Sequence, residues 1–202
     1  MIDDKCLKIL AAVYSLRNEN PNRPTFLSNE VATLLGVDDI GLLPAIRYLI
    51  SAGLLDGNPM SIYAIPVALT AEGTDYVENP LDALRTVEKS LTQTNTINVG
   101  GNFNAIQSTI LQMNTSAISE TDANTVRDSF DTIVGQLPPD IAASQDIQKN
   151  RDSLNTKLGA SDRLGAAGII SNLAKVVSIA TDSAVLIQAL PKIFDTIRLL
   201  FH

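Results

Sequence analysis

Leu49-Ile50-Ser51-Ala52-Gly53-Leu54-Leu55 reads as a helix end followed by a chain reversal. Gly53 supplies the residue that stops the helix, and Leu54 and Leu55 fold back onto a core. Upstream, Leu42, Ile46, Leu49 and Ile50 recur at helical spacing and make one buried stripe. Pro44 interrupts it. An interior proline costs about 3 kcal/mol, so the regular helix is expected to begin near Leu42 or Leu43. Val37-Asp38-Asp39 before it is a turn and cap.

Further towards the N-terminus, Ser28 is expected to cap a short helix carrying Val31, Ala32, Leu34 and Leu35 and closed by Gly36. Asn18 to Pro24 is rich in turn residues. Before that, Leu7, Leu10, Ala11 and Tyr14 mark a first helix over Cys6 to Arg17. Downstream, Asp56-Gly57-Asn58-Pro59, Ser61 to Ile65 and Val67 to Gly73 read as a hairpin that leads into a short helix stopping at Asn79-Pro80.

Helix, short helix, turn, helix and hairpin is the order of a winged helix-turn-helix. Residues 5–78 resemble the winged-helix domains of bacterial MarR- and PadR-type regulators, most of all at Leu49 to Leu55 and at Leu69-Thr70-Ala71-Glu72-Gly73. The expected fold is mainly α with a small β component. It has three parts: a winged-helix domain over 1–80, a helix or linker with a polar strand over 81–118, and a helical bundle over 119–202.

The middle part has no charge from Ser90 to Ser119. Within it Ile97, Val99, Gly101, Phe103 and Ala105 alternate with Asn98, Gly100, Asn102 and Asn104, a period of two. Such a short strand cannot form a stable sheet alone. It either pairs with the same strand of another copy or is a polar linker. The Ile97-Asn98-Val99-Gly100-Gly101-Asn102-Phe103 run ahead of a helical bundle is loosely similar to tails of bacterial conflict and anti-phage proteins, and that likeness implies self-association and antiviral defence.

In the last part, Ser119-Glu120-Thr121-Asp122 has capping-box spacing. Val126, Phe130, Ile133, Val134 and Leu137 follow on one helical face until Pro138-Pro139. A weaker helix is expected from Asp140 to Leu158, a third after Asp162, and a fourth capped by Thr181-Asp182 and broken or kinked at Pro191. The wide apolar stripes suit packing on two sides, in a bundle or an oligomer. Ile97, Val99, Phe103, Val126, Phe130, Ile197 and Phe201 are the expected oligomerisation residues.

Composition is that of a globular chain, 45% hydrophobic and 18% charged, with no tryptophan. Cys6 is the only cysteine, which rules out an intrachain disulfide. Met1-Ile2-Asp3-Asp4-Lys5 lacks the basic-then-apolar order of a signal peptide. Lys175, Asp182, Lys192, Asp195 and Arg198 interrupt the apolar region Leu164–Phe201. A cytoplasmic protein is expected, with membrane contact disfavoured.

Nothing in the chain assembles into a catalytic constellation. The one histidine is His202, and Cys6 has no base beside it. Asp3-Asp4 and Asp38-Asp39 read as helix caps rather than metal ligands. Gly100-Gly101 lacks the lysine of a phosphate loop. Neither an enzyme activity nor a cofactor nor a metal is expected.

Charge opposes the DNA binding that the winged-helix resemblance implies. Residues 1–80 hold five cations (Lys5, Lys8, Arg17, Arg23 and Arg47) against ten acidic residues, and no Lys or Arg lies between Tyr48 and Leu84. Phosphate contacts by Lys and Arg supply most nonspecific affinity for DNA. The expected function is therefore a non-enzymatic adaptor in a bacterial defence or regulatory system. It docks a protein partner through Ala45, Arg47, Tyr48, Ser51, Ile62 and Tyr63 and associates with itself. The alternatives are a DNA-binding transcriptional regulator that dimerises through its C-terminal helices, using the same residues on DNA, and a membrane-active apolar hairpin.

Overall fold

The computed structural model describes residues 2–60, 64–83, 117–180 and 183–201. Among the described residues the fold is mainly helical with one small three-stranded antiparallel sheet. Contact density divides it into two compact units, 1–79 with 174–192, and 80–173 with 193–202. Residues 174–192, which fall in the segment read from sequence as a C-terminal bundle, thus cluster with the N-terminal ones.

The first unit is arranged around α1 (Asp4–Glu19), capped by the Asp3 carboxylate, which accepts from the Cys6 amide at 2.8 Å. Every residue from Cys6 to Ser15 except Lys8 is buried. A helix with one apolar stripe faces one neighbour, whereas one buried all round is packed on several sides. Around α1 pack α2 (Ser28–Leu35), α3 (Asp39–Ser51), α4 (Ala71–Glu78) and a strand of the sheet. From residues 174–192, the Ser178 hydroxyl reaches the Tyr14 phenol, which also donates to Glu78 Oε1 at 2.9 Å.

The sheet has the order β1-β3-β2, from β1 (Phe26–Leu27), β2 (Leu55–Gly57) and β3 (Pro66–Leu69). Leu55 pairs with Leu69, and Phe26 with Val67. The strand that pairs with β3 across the expected hairpin is Leu55–Gly57, and Ser61 to Tyr63 lie outside the described residues. The register of that pair buries Leu55 and Val67 on the core side. The two-residue β1 was not anticipated, being too short to show any periodicity.

Two sequence expectations about caps and breaks are corrected. Ser28 is not the N-cap of α2. Leu27 holds that position, and Ser28 is fully buried, its Oγ accepting from the Ile65 amide at 3.1 Å. The Glu30 carboxylate reaches back to the Leu27 amide at 2.8 Å instead. In α3 the helix starts at Asp39, not Leu42, because the Asp38 carboxylate caps it through the Gly41 amide at 3.3 Å. Pro44 stays inside the helix, and the amide it lacks would have served the carbonyl of Ile40, on the exposed first turn. Gly36 and Gly53 end their helices with φ of 65° and 74°, the left-handed values that favour glycine.

Thr70 ties the end of α3 to α4. Its hydroxyl donates to the Gly53 carbonyl at 2.7 Å and accepts from the Gly73 amide at 2.9 Å.

In the second unit α5 (Glu120–Val134), capped by Ser119 as the spacing suggested, packs on α7 (Gln145–Gly159). The helix expected over 140–158 is two. A turn α6 (Pro139–Ala142) comes first, and Ser144 then caps α7 by accepting from the Ile147 amide at 3.4 Å. Two long helices follow in the chain, α8 (Arg163–Ala180) and α9 (Ser183–Leu199), of which residues 174–192 belong to the first unit. Arg163 donates to the carbonyls of Leu200 and Ala117, fixing the chain on either side of its own helix start.

Of the break or kink expected at Pro191, the break does not occur. α9 runs through it, with Leu190, Ile193, Phe194 and Ile197 all at 0% exposure. Burying each such side chain contributes about 1.5–3 kcal/mol, which together outweighs one interior proline. The proposed cap Thr181-Asp182 lies outside the described residues. No helix among the described residues is long and apolar enough to cross a membrane.

Candidate interaction surface on the third helix

The buried side of α3 carries Leu42, Ile46 and Leu49, while Ile50 is only half-buried. The opposite side presents Ile40, Pro44, Arg47, Tyr48 and Ser51, spaced i, i+4, i+7, i+8 and i+11. Ile40 is 74% exposed and Tyr48 45%, and Met60, in the loop after β2, is 85% exposed. These are large apolar groups facing water, as are Val37 and Ile179 elsewhere in the same unit.

Of the residues expected to bind DNA or a partner, Arg47, Tyr48 and Ser51 are exposed and Ala45 is half-buried, all on α3. The Ser51 hydroxyl donates to the Tyr48 carbonyl at 2.8 Å, within its own helix. The Arg47 Nε donates to the Pro59 carbonyl at 3.0 Å, which holds the loop after β2 against α3. Ile62 and Tyr63 lie outside the described residues. Ile40 and Met60 were missed. Ile40 was legible in principle, lying four residues before Pro44 and eight before Tyr48.

Beside this face is a groove of about 470 Å³ lined by Asp3, Lys5, Cys6, Gly41, Pro44, Ala45 and Tyr48. The start of α1 makes one wall and α3 the other. Lys5 crosses its end, donating to the Gly41 carbonyl at 2.6 Å. The bond from the Cys6 amide holds the Asp3 carboxyl below its ordinary range. Burial, and then the neighbouring Asp3, push the Cys6 thiol up to about 12.

A thiolate is the nucleophilic form of cysteine. The folded protein is therefore expected to leave an aromatic disulfide reagent unreacted near pH 8 and to consume it only on unfolding. Prompt colour from the native protein would contradict this.

The other cations of the first 80 residues are also engaged. Lys8 pairs with Asp4 at 2.8 Å, and Arg17 donates to Thr74 Oγ1 at 3.0 Å. Arg23 holds Glu30 through two bonds of 2.6 Å, with its guanidinium 4.9 Å from the centre of the Phe26 ring. That pair keeps the Glu30 carboxyl below its ordinary range. Arg17 and Arg23 border a second groove of about 700 Å³, beside β3 and the start of α4.

Of the residues assigned to oligomerisation, Ile97, Val99 and Phe103 lie outside the described residues. Val126, Phe130 and Ile197 are at 0%, 1% and 0% exposure, packed inside a single chain, and Phe201 is half-buried. Among the described residues no group of three or more His, Cys, Asp or Glu side chains is placed to hold a metal ion.

Comparison with protein-family models, with curated proteins and with solved structures finds no match for this chain.

Proposed function

We propose that the first unit is a winged helix used to dock a protein, and that the chain is a non-enzymatic adaptor rather than a reader of DNA. The element order α1-β1-α2-α3-β2-β3, with β3 between β1 and β2, supports the winged-helix reading. The observation that carries the docking reading is the engagement of all five cations of residues 1–80. Each is bonded to a carbonyl, carboxylate or hydroxyl of the protein itself. The exposed side of α3 keeps Ile40, Pro44 and Tyr48, groups that suit the desolvated centre of a protein interface. A helix read into the major groove would instead need Arg, Lys, Asn or Gln aimed at base edges.

Fluorescence polarisation of a labelled mixed-sequence duplex at low salt tests this, because low salt favours any phosphate contact. The full-length protein is expected to leave the duplex unbound at tens of micromolar, roughly where nonspecific binders already respond. Binding that disappears in Arg47→Ala would overturn the reading in favour of a DNA-binding regulator.

A further inference from the structure

We propose that the first unit stays closed only while the second is folded, because residues 174–192 reach it through two helices that belong to both units. The second unit is then a conformational control on the first, whatever the first unit docks.

Units that move or unfold independently are joined by exposed linkers that few contacts cross. Here the chain passes from one unit to the other after Asn79, after Leu173 and after Lys192. The second of these passages lies inside α8 and the third inside α9. Leu173 and Ala174, on either side of the passage in α8, are both fully buried. So are Leu190 before the passage in α9 and Ile193 after it. Neither place has the composition or the exposure of a hinge.

Polar ties run along the same helix. Ser171 and Ser178 stand seven residues apart, two turns on one side of α8. The Ser171 hydroxyl accepts from the Leu81 amide at 3.3 Å, within the second unit. The Ser178 hydroxyl meets the Tyr14 phenol, within the first.

The dependence runs from the second unit to the first. Residues 174–192 are entered and left through the second unit, whereas residues 80–173 form one continuous stretch of it. Unfolding the second unit cuts α8 and α9 back to residues 174–180 and 183–192. Isolated helices shorter than about 12–15 residues are marginal in water. The same event turns residues 80–173 into a free loop, whose closure opposes the return of 174–192 to the first unit. By mass action, a partner that binds the folded second unit steadies the first as well.

Cys6 is the reporter. It is the only cysteine, lies in the first unit and is 3% exposed. The full-length protein is equilibrated in rising urea, given a brief pulse of an aromatic disulfide reagent, and scored for labelled Cys6. Wild type is compared with the double variant Phe130→Ala/Leu154→Ala, which empties the core of the second unit alone. The urea midpoint of Cys6 exposure is expected to fall by about 1 M or more, the size such truncations produce in the unit that carries them. Helix content measured by circular dichroism falls with it. A double variant whose second unit is unfolded without urea is expected to show Cys6 reactive there too. A Cys6 midpoint left at its wild-type value, or a Cys6 still protected after the second unit has lost its helix content, overturns the proposal.

Discussion

Replacing Gly73 with alanine is expected to lower the melting temperature of the first unit by about 12 °C or more. Gly73 lies in the first turn of α4, where the end of α3 and the end of β3 meet. A Cβ there would stand 2.0 Å from the Leu54 carbonyl oxygen and 2.9 Å from Leu69 Cδ2. The Leu69 methyl can move, but the Leu54 carbonyl cannot move cheaply. It accepts from the Thr70 amide at 3.3 Å and from the Thr70 hydroxyl at 3.1 Å, the same hydroxyl that caps α4. Relief of the clash must therefore displace the α3 end or unwind the α4 cap. Overpacking costs about 1–3 kcal/mol where side chains can adjust, so roughly 3 kcal/mol is a lower expectation against backbone. Each kcal/mol is worth about 4–8 °C in a unit of this size. Circular dichroism of the full-length variant on heating checks it, and a shift of only 2–3 °C, on the order of 0.5 kcal/mol, would show that the junction yields.

Phe130→Ala separates a core role from an interface role at a position that the sequence assigned to self-association. Phe130 is 1% exposed within one chain, in a core that also holds Val126, Ile133, Ile147, Leu154 and Leu158. Truncating a buried phenylalanine costs about 3–5 kcal/mol through lost burial and the cavity left behind. The expected outcome is a stability loss of that size in denaturant, with the mass measured by light scattering unchanged. A lower mass with unaltered unfolding would place Phe130 between copies instead.

The same helix shows what periodicity can report. Val126, Phe130, Ile133 and Val134 identify the buried face of α5, and that face is buried. What covers it depends on residues far along the chain, which spacing does not encode. In α1 the spacing of Leu7, Leu10, Ala11 and Tyr14 marks one face, yet Ile9, Ala12 and Val13 on the other side are at 0% exposure. Local signals fared better where the chemistry is local, as at Gly36, Gly53 and Ser119. They failed where a backbone amide distant in sequence took a side chain, as that of Ile65 takes Ser28. Pro44 and Pro191 were overweighted, since a helix secured by a cap or by a deep core continues through the loss of one hydrogen bond.

The candidate site was legible to a similar depth. The absence of Lys and Arg between Tyr48 and Leu84 is a sequence fact. The bond from Arg47 to the Pro59 carbonyl, twelve residues on, is not, because it depends on how the loop after β2 returns over α3. Met60 is exposed by the same loop path.

The grouping of residues 174–192 with residues 1–79 carries a consequence for synthesis on the ribosome. Translation adds about 5–20 residues per second. After Asn79 emerges, a further 113 residues must be made before Lys192 follows, an interval on the order of 6–20 s. During it α1 has its neighbours α2, α3 and α4 but lacks Ser178, whose hydroxyl meets Tyr14 in the finished unit. The nascent chain thus holds an incomplete unit for seconds, with the Tyr14 side of its central helix uncovered. That is the interval in which a chaperone binding apolar surface finds its substrate.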